Sequence, residues 1–510
     1  MARDPQGALV ALNRFGLGAR GGAASDLSSA ASDPRGFVKA ELGRPNAALI
    51  DVPGLQPTPA LAVAVFAYQK ELKEKREATA KVAQAMAAVG EDTAKDMPKP
   101  PAVEAMPEIK SGTATPMAST DAMAPNIPPK EPAKQPPAPL NVIQKTFRAE
   151  ALARLQRATM TETGFIERLV SFWSNHFCVS ANKGELGRMW AGAFEREAIR
   201  PHVLGRFADM LQAVEQHPAM LFFLDNQQSF GPNSKAGQNR KRGLNENLAR
   251  EIMELHTLGV NGGYTQDDVT SLARIITGWT FSGREGKLAP PGNFIFFANA
   301  HEPGPHKLLG KVYEDTGVAQ GEAALNDLAR RPATAKFIAT KFVRHFIADD
   351  PPPALVAKLE ATFRKTDGDL RAMTLALVDA DEAWQTPMTK IRMPYEFLVA
   401  TGRMTGRIPE DPQRYLGGLN VLGQPLWTPA GPNGFADTNA AWAAPEGLKL
   451  RLDIAAQVAT RLGEAFDPRA LLDVVAGEAA STETRQTIDR AESKQQAFAL
   501  LMMSPEFQRR

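Results

Sequence analysis

The chain has 510 residues, 43% of them hydrophobic, with 59 basic against 57 acidic residues and a formal net charge of +2. That length and apolar content can fill a sizeable core, whether in several domains or in one large one. The near balance of charge leaves no excess to hold a phosphate backbone, so nucleic acid is not an expected partner.

Cys178 is the only cysteine, which excludes an intrachain disulfide framework and any cysteine-rich zinc site. Between Phe177 and Val179 it reads as a small buried residue. The opening residues lack the long apolar core of a secretory signal, and nowhere do enough apolar residues run together to span a membrane. The chain as given is expected to be soluble, with its compartment open, because a trimmed or late start would hide a signal.

In chain order, a short amphipathic segment ends at Asn13, Arg14 and Phe15. Gly16, Gly18 and Gly21 then match the spacing of dinucleotide-binding turns. That fingerprint needs a buried strand before it and a helix opening at its last glycine. Here a polar loop follows, so no nucleotide is expected. A helical pattern from Thr58 becomes strongly charged before composition changes to Pro, Ala, Lys and Met. Residues 1–89 therefore read as the N-terminal helical part of the main domain, 90–139 as a disordered insertion, and 140–510 as the rest of that domain.

From Asn141 the chain is again helical, and Phe165, Leu169, Phe172, Trp173 and Phe177 make one strong apolar face. Asn175 and His176 sit where that helix should end, with Lys183 shortly after. A lone His on an aromatic helix is more often a satisfied core or cap residue, and Lys183 keeps the functional alternative open. His217–Asn226 reads as a turn of helix delivering Asp225 and Asn226 towards the next segment.

Gly243–Phe281 concentrates paired polar residues on helical spacing. Asn245 is placed as an N-cap, Leu248, Ile252 and Leu255 as an apolar stripe, and Gly259 as the left-handed stop. Asn247, Glu251 and Glu254 follow the same spacing on the adjoining face, and Arg250 falls four residues from both Glu246 and Glu254. Thr265 with Asp268 predicts the cap of a second helix, buried through Leu272, Ile275, Ile276 and Trp279, with Arg274 left to face something polar. Two readings stand: ordinary ion pairs on helix flanks, worth little where exposed, or preorganised carboxylates for a metal or acid–base pair.

Phe294–Phe297 is the most strand-like run, and His301 and His306 lie in the rigid loop after it. Their spacing does not fit the paired histidines of a zinc-protease helix. From Gly321 onward helical runs resume, consistent with a bundle or array. Lys390, Arg392, Tyr395 and Glu396 gather at the head of one helix. The Pro/Gly segment from Gly423 to Gly434 is the kind of long loop that often bears function.

LNRFGLGA at Leu12–Ala19, FWSNHFCVSANK at Phe172–Lys183, HPAMLFFLDN at His217–Asn226, NENLAREIMELHTLGVNGGYTQDDV at Asn245–Val269, ARIITGW at Ala273–Trp279, HEPGPHKLLG at His301–Gly310, LGQPLWTPAGPNGF at Leu422–Phe435 and MSPEFQ at Met503–Gln508 occur in order. Together they resemble the bacterial family named domain of unknown function 1800. The resemblance implies a mostly helical, frequently exported protein, often encoded beside a family that looks like sulfatases. This chain departs from the family pattern in lacking an export signal and in reading ELHTLG where ELFTLG is common. The second departure casts His256 as filling an aromatic packing position.

The expected fold is mainly α, a multi-helix bundle or array with long irregular loops and at most a minor β element near 294–297. One polar cleft is expected, with Glu251, Glu254, His176 and His301 as catalytic candidates and Asn175, Lys183, Asn245, Asn247, Arg250 and Arg274 as substrate-binding candidates. A divalent metal is one candidate cofactor, its identity open. The function expected is hydrolysis or transfer on an anionic or polysaccharide-like substrate, the alternative a non-enzymatic partner or assembly protein for a sulfatase-like enzyme.

Overall fold

Apolar residues recur at three- and four-residue spacing along most of the chain, and these runs become helices. The computed structural model describes residues 3–22, 25–94, 139–240 and 243–510. Helices account for 63% of it, which makes the protein mainly α. Contacts divide it into two units, Met1–Phe66 with Val142–Arg510, and Ala67–Asn141. The expected insertion at 90–139 lies almost wholly outside the described residues. Among those residues no helix is long and apolar enough to cross a membrane.

The β structure extends beyond the run expected near 294–297. β1 (Trp279–Phe281) pairs antiparallel with β2 (Phe294–Phe296), with Thr280 opposite Ile295. β3 (His306–Leu308) and β4 (Lys311–Tyr313) form a second hairpin, with Lys307 opposite Val312. Leu309 and Gly310 both hold positive φ between them, as a two-residue primed turn requires. The Leu-Gly dipeptide is a weak turn signal, so the sequence pattern passes over this hairpin.

The Phe165–His176 helix buries Phe165, Leu169, Phe172 and Trp173, and Phe177 follows into the same core. Removing an aromatic group of this kind from a packed core costs about 3–5 kcal/mol. Beside it, the Glu185–Phe194 helix passes into a π-helical turn at Glu195–Ile199. Such a turn holds an extra residue and changes the direction in which the next side chains leave; here Glu195 ends up fully inside.

A second π-helical turn alters the expected reading of the central stretch. The Asn247–Glu251 helix runs into Ile252–Thr257 as π-helix. The buried residues are therefore Leu248, Ala249, Ile252, Met253, His256 and Thr257, while Leu255 is only half-buried. Glu254, inside the π-helical turn, consequently leaves the register with Glu251 that an uninterrupted α-helix would give it. Asn245 caps from one position further out than expected, its Oδ1 accepting from the Asn247 N–H at 3.0 Å. Gly259 takes φ +80° as the stop, and Thr265 with Asp268 completes the predicted capping box before Gln266–Ile275.

Two elements finish the frame around the site. The Pro332–Phe346 helix begins with proline at its first position and buries Ile338, Phe342, Val343, His345 and Phe346. The Pro394–Met404 helix is buried along its whole length, with the Glu396 carboxylate accepting from the Met393 N–H at 2.9 Å.

Candidate functional site

The last two turns of Pro332–Phe346 carry Lys341, Arg344 and His345, which share one side of the helix by their three- and four-residue spacing. That side, the end of Phe165–His176, and the loop from Gln424 to Thr438 enclose a cavity of about 290 Å³. The loop is stitched to the protein by its backbone. Asn175 donates through Nδ2 to the Phe435 carbonyl and accepts at Oδ1 from the Phe435 N–H, each at 2.8 Å. Ala181 N–H donates to the Trp427 carbonyl at 2.8 Å, and Ser180 Oγ to that of Pro429 at 3.0 Å. Gly434 is required where the loop crosses Asn175: its φ is +73°, and a Cβ there would lie 2.4 Å from the Asn175 carbonyl oxygen.

The stitched loop delivers Asp437 to His345. Nδ1 of His345 lies 2.7 Å from Asp437 Oδ2. Burial pushes His345 down to about 4, outweighing Asp437, with Arg510 and Arg168 adding to the effect. The ring is therefore neutral near pH 7, with its proton on Nδ1 facing the carboxylate. Nε2 is left with a lone pair and no hydrogen-bond partner among the described residues. Burial works against the Asp437 carboxylate, yet His345, Arg510 and Lys390 together hold it well below the usual carboxylate range. Arg510 Nη2 is 3.1 Å and Lys390 Nζ 3.4 Å from its Oδ1.

A second pair also lines the cavity. Lys341 Nζ donates to His176 Nδ1 at 2.9 Å, and His176 Nε2 donates to the His256 carbonyl at 3.1 Å. Burial first, then the Lys341 and His256 charges, drive His176 well below its ordinary value, so it accepts from the ammonium as a neutral ring. Lys341 is itself lowered to about 8, chiefly by burial.

The remaining wall is built from Arg154, Glu195, Tyr395 and Trp427. The Arg154 guanidinium lies 4.5 Å from the Tyr395 ring centroid and 5.6 Å from that of Trp427. Glu195 accepts from Trp427 Nε1 at 3.0 Å and pairs with Arg154 at 3.3 Å and Arg200 at 3.0 Å. The Tyr395 hydroxyl is buried without a partner among the described residues. Trp427 takes φ +49°, a conformation that a bulky residue keeps only where its surroundings enforce it. Cys178 faces the cavity with its thiol pushed up to about 12 by burial, the Glu251 charge adding to the rise, and so stays protonated.

Of the ten candidates expected from sequence, Asn175 and His176 line this cavity and the other eight do not. Glu251 is half-buried, and burial raises its carboxyl; Glu254 is likewise half-buried. Lys183 pairs with Asp225 at 2.6 Å. Asn245 and Asn247 donate to the Asp225 and Leu224 carbonyls at 3.3 and 3.4 Å. Arg250 pairs with Glu246 at 3.1 Å and donates to Gln266 at 2.9 Å, while Arg274 is exposed. His301 is buried under β2, its Nδ1 donating to the Thr277 carbonyl at 3.0 Å. His256 is fully enclosed between aromatic rings with Glu215 Oε1 at 2.8 Å. Among the described residues no group of three His, Cys, Asp or Glu is placed to hold a metal ion.

Lys341, His345 and Asp437 were not sequence candidates. Lys341 and His345 one turn apart near the end of an amphipathic helix are a legible signal; Asp437 offers none, because only the loop path brings it to His345.

These features define a mainly helical protein with a partly open cavity that carries several charged and polar side chains and a histidine–aspartate pair in its wall. The chain belongs to the family described as protein of unknown function DUF1800, whose model matches residues 10–509. No curated protein and no solved structure matches it.

Proposed function

We propose that this cavity is the active site of a hydrolase or transferase acting on a substrate with an anionic group. The observation that carries the reading is the buried His345–Asp437 pair in the wall of the cavity that also holds Lys341 and His176, with His345 Nε2 left unpartnered among the described residues. In this arrangement Nε2 accepts a proton from water or a substrate hydroxyl, and Asp437 stabilises the imidazolium that forms. The Lys341 ammonium, one turn before His345 on the same helix and oriented by His176, supplies positive charge or a proton. A positioned acid–base group of this kind contributes about 10²–10⁴-fold in rate. The volume suits one small group or a single sugar ring.

The test is a panel of chromogenic phosphate, sulfate, carboxylate and glycoside esters offered to wild type and His345→Asn. Turnover that disappears in a variant with unchanged melting temperature supports the reading. Turnover that survives the substitution, or none across the panel, overturns it.

The alternative, a non-enzymatic partner for a sulfatase-like enzyme, draws support from the outer face of the central stretch. There Glu246, Arg250, Gln266 and Thr270 satisfy one another, and Val260 is 67% exposed nearby in sequence. That reading requires a stable complex whose formation depends on this face and is untouched by His345→Asn.

A further inference from the structure

We propose that Lys341 and Arg344 form the subsite that receives the ligand's charged group, an oxyanion of sulfate, phosphate or carboxylate type. The inference rests on the cavity being the ligand site and names the group it takes.

The carboxylates that line the cavity are already engaged by fixed partners. Glu195 is held by Arg154 and Arg200, Glu396 by Arg168 and Arg510, and Asp437 by His345, Lys390 and Arg510. Lys341 and Arg344 are different. Both line the cavity, and neither has a carboxylate within 4.0 Å among the described residues. Arg344 uses Nε on the Asp349 carbonyl at 3.2 Å, which leaves its two terminal nitrogens for a ligand. Lys341 spends one N–H on the neutral His176 ring and keeps two.

An ammonium taken out of water without a counter-charge is unfavourable. The groups acting on Lys341 do not remove that cost: Arg344 is repulsive, Cys178 is a protonated thiol, His176 is neutral, and Asp437 is committed to two other cations, Lys390 and Arg510, and to the His345 ring. An oxyanion lying between the two side chains supplies the missing charge and accepts from donors that no protein group among the described residues engages. Three-residue spacing on one helix directs both side chains to the same region, and a lysine with an arginine is a common donor set for such groups.

The experiment is calorimetric titration and thermal shift with sodium sulfate, phosphate and acetate, at ionic strength matched with sodium chloride. It uses wild type, Lys341→Met, Arg344→Gln and His345→Asn. Wild type should bind at least one of the three anions at a single site, with the preferred one distinguishing a tetrahedral from a planar group. Lys341→Met should melt at or above the wild-type temperature, since it removes a buried charge, and should lose the anion-dependent shift. The same titration in that variant measures the general effect of sulfate on stability. Arg344→Gln should weaken binding about tenfold, the loss of roughly 1.4 kcal/mol, and keeps the test decisive if Lys341→Met fails to fold. His345→Asn removes the base but neither cation, so it should retain binding. Failure of the catalytic reading is thereby separable from failure of this one. No binding by wild type at tens of millimolar anion, or equal binding in Lys341→Met and Arg344→Gln, overturns the inference.

Discussion

Two regions of this protein are rich in charge, and they handle it in opposite ways. In the central stretch, Glu246, Arg250, Gln266 and Thr270 lie at or near the surface, where water and neighbouring side chains satisfy them together. Around the cavity, Arg168, Arg200, Glu195, Glu396 and Arg510 are buried, and each depends on a specific partner. The same ion-pair chemistry is dispensable in the first region and structural in the second, because an exposed charge can fall back on water and a buried one cannot.

The largest expected effect comes from breaking the buried network. Glu396→Ala leaves Arg168 and Arg510 without their shared carboxylate and should cost about 3–5 kcal/mol, read as a displaced denaturant midpoint. A loss under about 1 kcal/mol would mean that water reaches these guanidinium groups and that the contrast between the regions is weaker than drawn.

Acid should separate the regions next. His345 is neutral in the fold at about 4, below the ordinary histidine value, so the unfolded chain binds the extra proton first as pH falls. This contribution is complete above the ordinary value and is lost between there and about 4. Glu396, held down to about 2 against burial by Arg168 and Arg510, adds a second loss below the ordinary glutamate value. Melting temperature should fall in both windows, and His345→Gln should flatten the upper one. An unchanged upper window in that variant would remove His345 as its source.

A smaller effect should come from disturbing the loop without touching charge. Gly434→Ala places a Cβ against the Asn175 carbonyl at positive φ and should cost roughly 1–3 kcal/mol. It should also release Asp437 from His345, visible as an upward shift of the His345 titration by NMR if the ring becomes solvated. An intact titration together with full stability would show that the loop needs no glycine there.

The smallest effect is expected in the central stretch. Glu246→Ala removes a carboxylate that Thr270, Gln266 and Arg250 hold below its usual range, yet it should change stability by less than about 1 kcal/mol. A larger loss would place these charges in the same class as those of the cavity.

Part of the site is legible without the fold. Asn175 and His176 stand out in the sequence as polar groups ending an aromatic helix, and both line the cavity. Asn175 nevertheless spends its amide on Phe435, which makes it a positioning residue for the loop. Glu251 and Glu254 stand out by regular spacing, but the π-helical turn at Ile252–Thr257 changes which side of the helix later residues share. No residue type announces such a turn, so counting by α-helical period misplaces the side chains beyond it.

Periodicity, caps and composition determined the mainly helical class, the Thr265 capping box, the Gly259 stop and the buried faces, because each depends on residues within a turn or two of one another. The cavity depends on separations of a different order: His345 meets Asp437 across 92 residues, and Lys341 meets His176 across 165. Those pairings, and the partners that leave Lys341 and Arg344 without a carboxylate, are set by how helices and one irregular loop pack. Only the tertiary structure decides them, since long-range burial gives a charge its partner or denies it one.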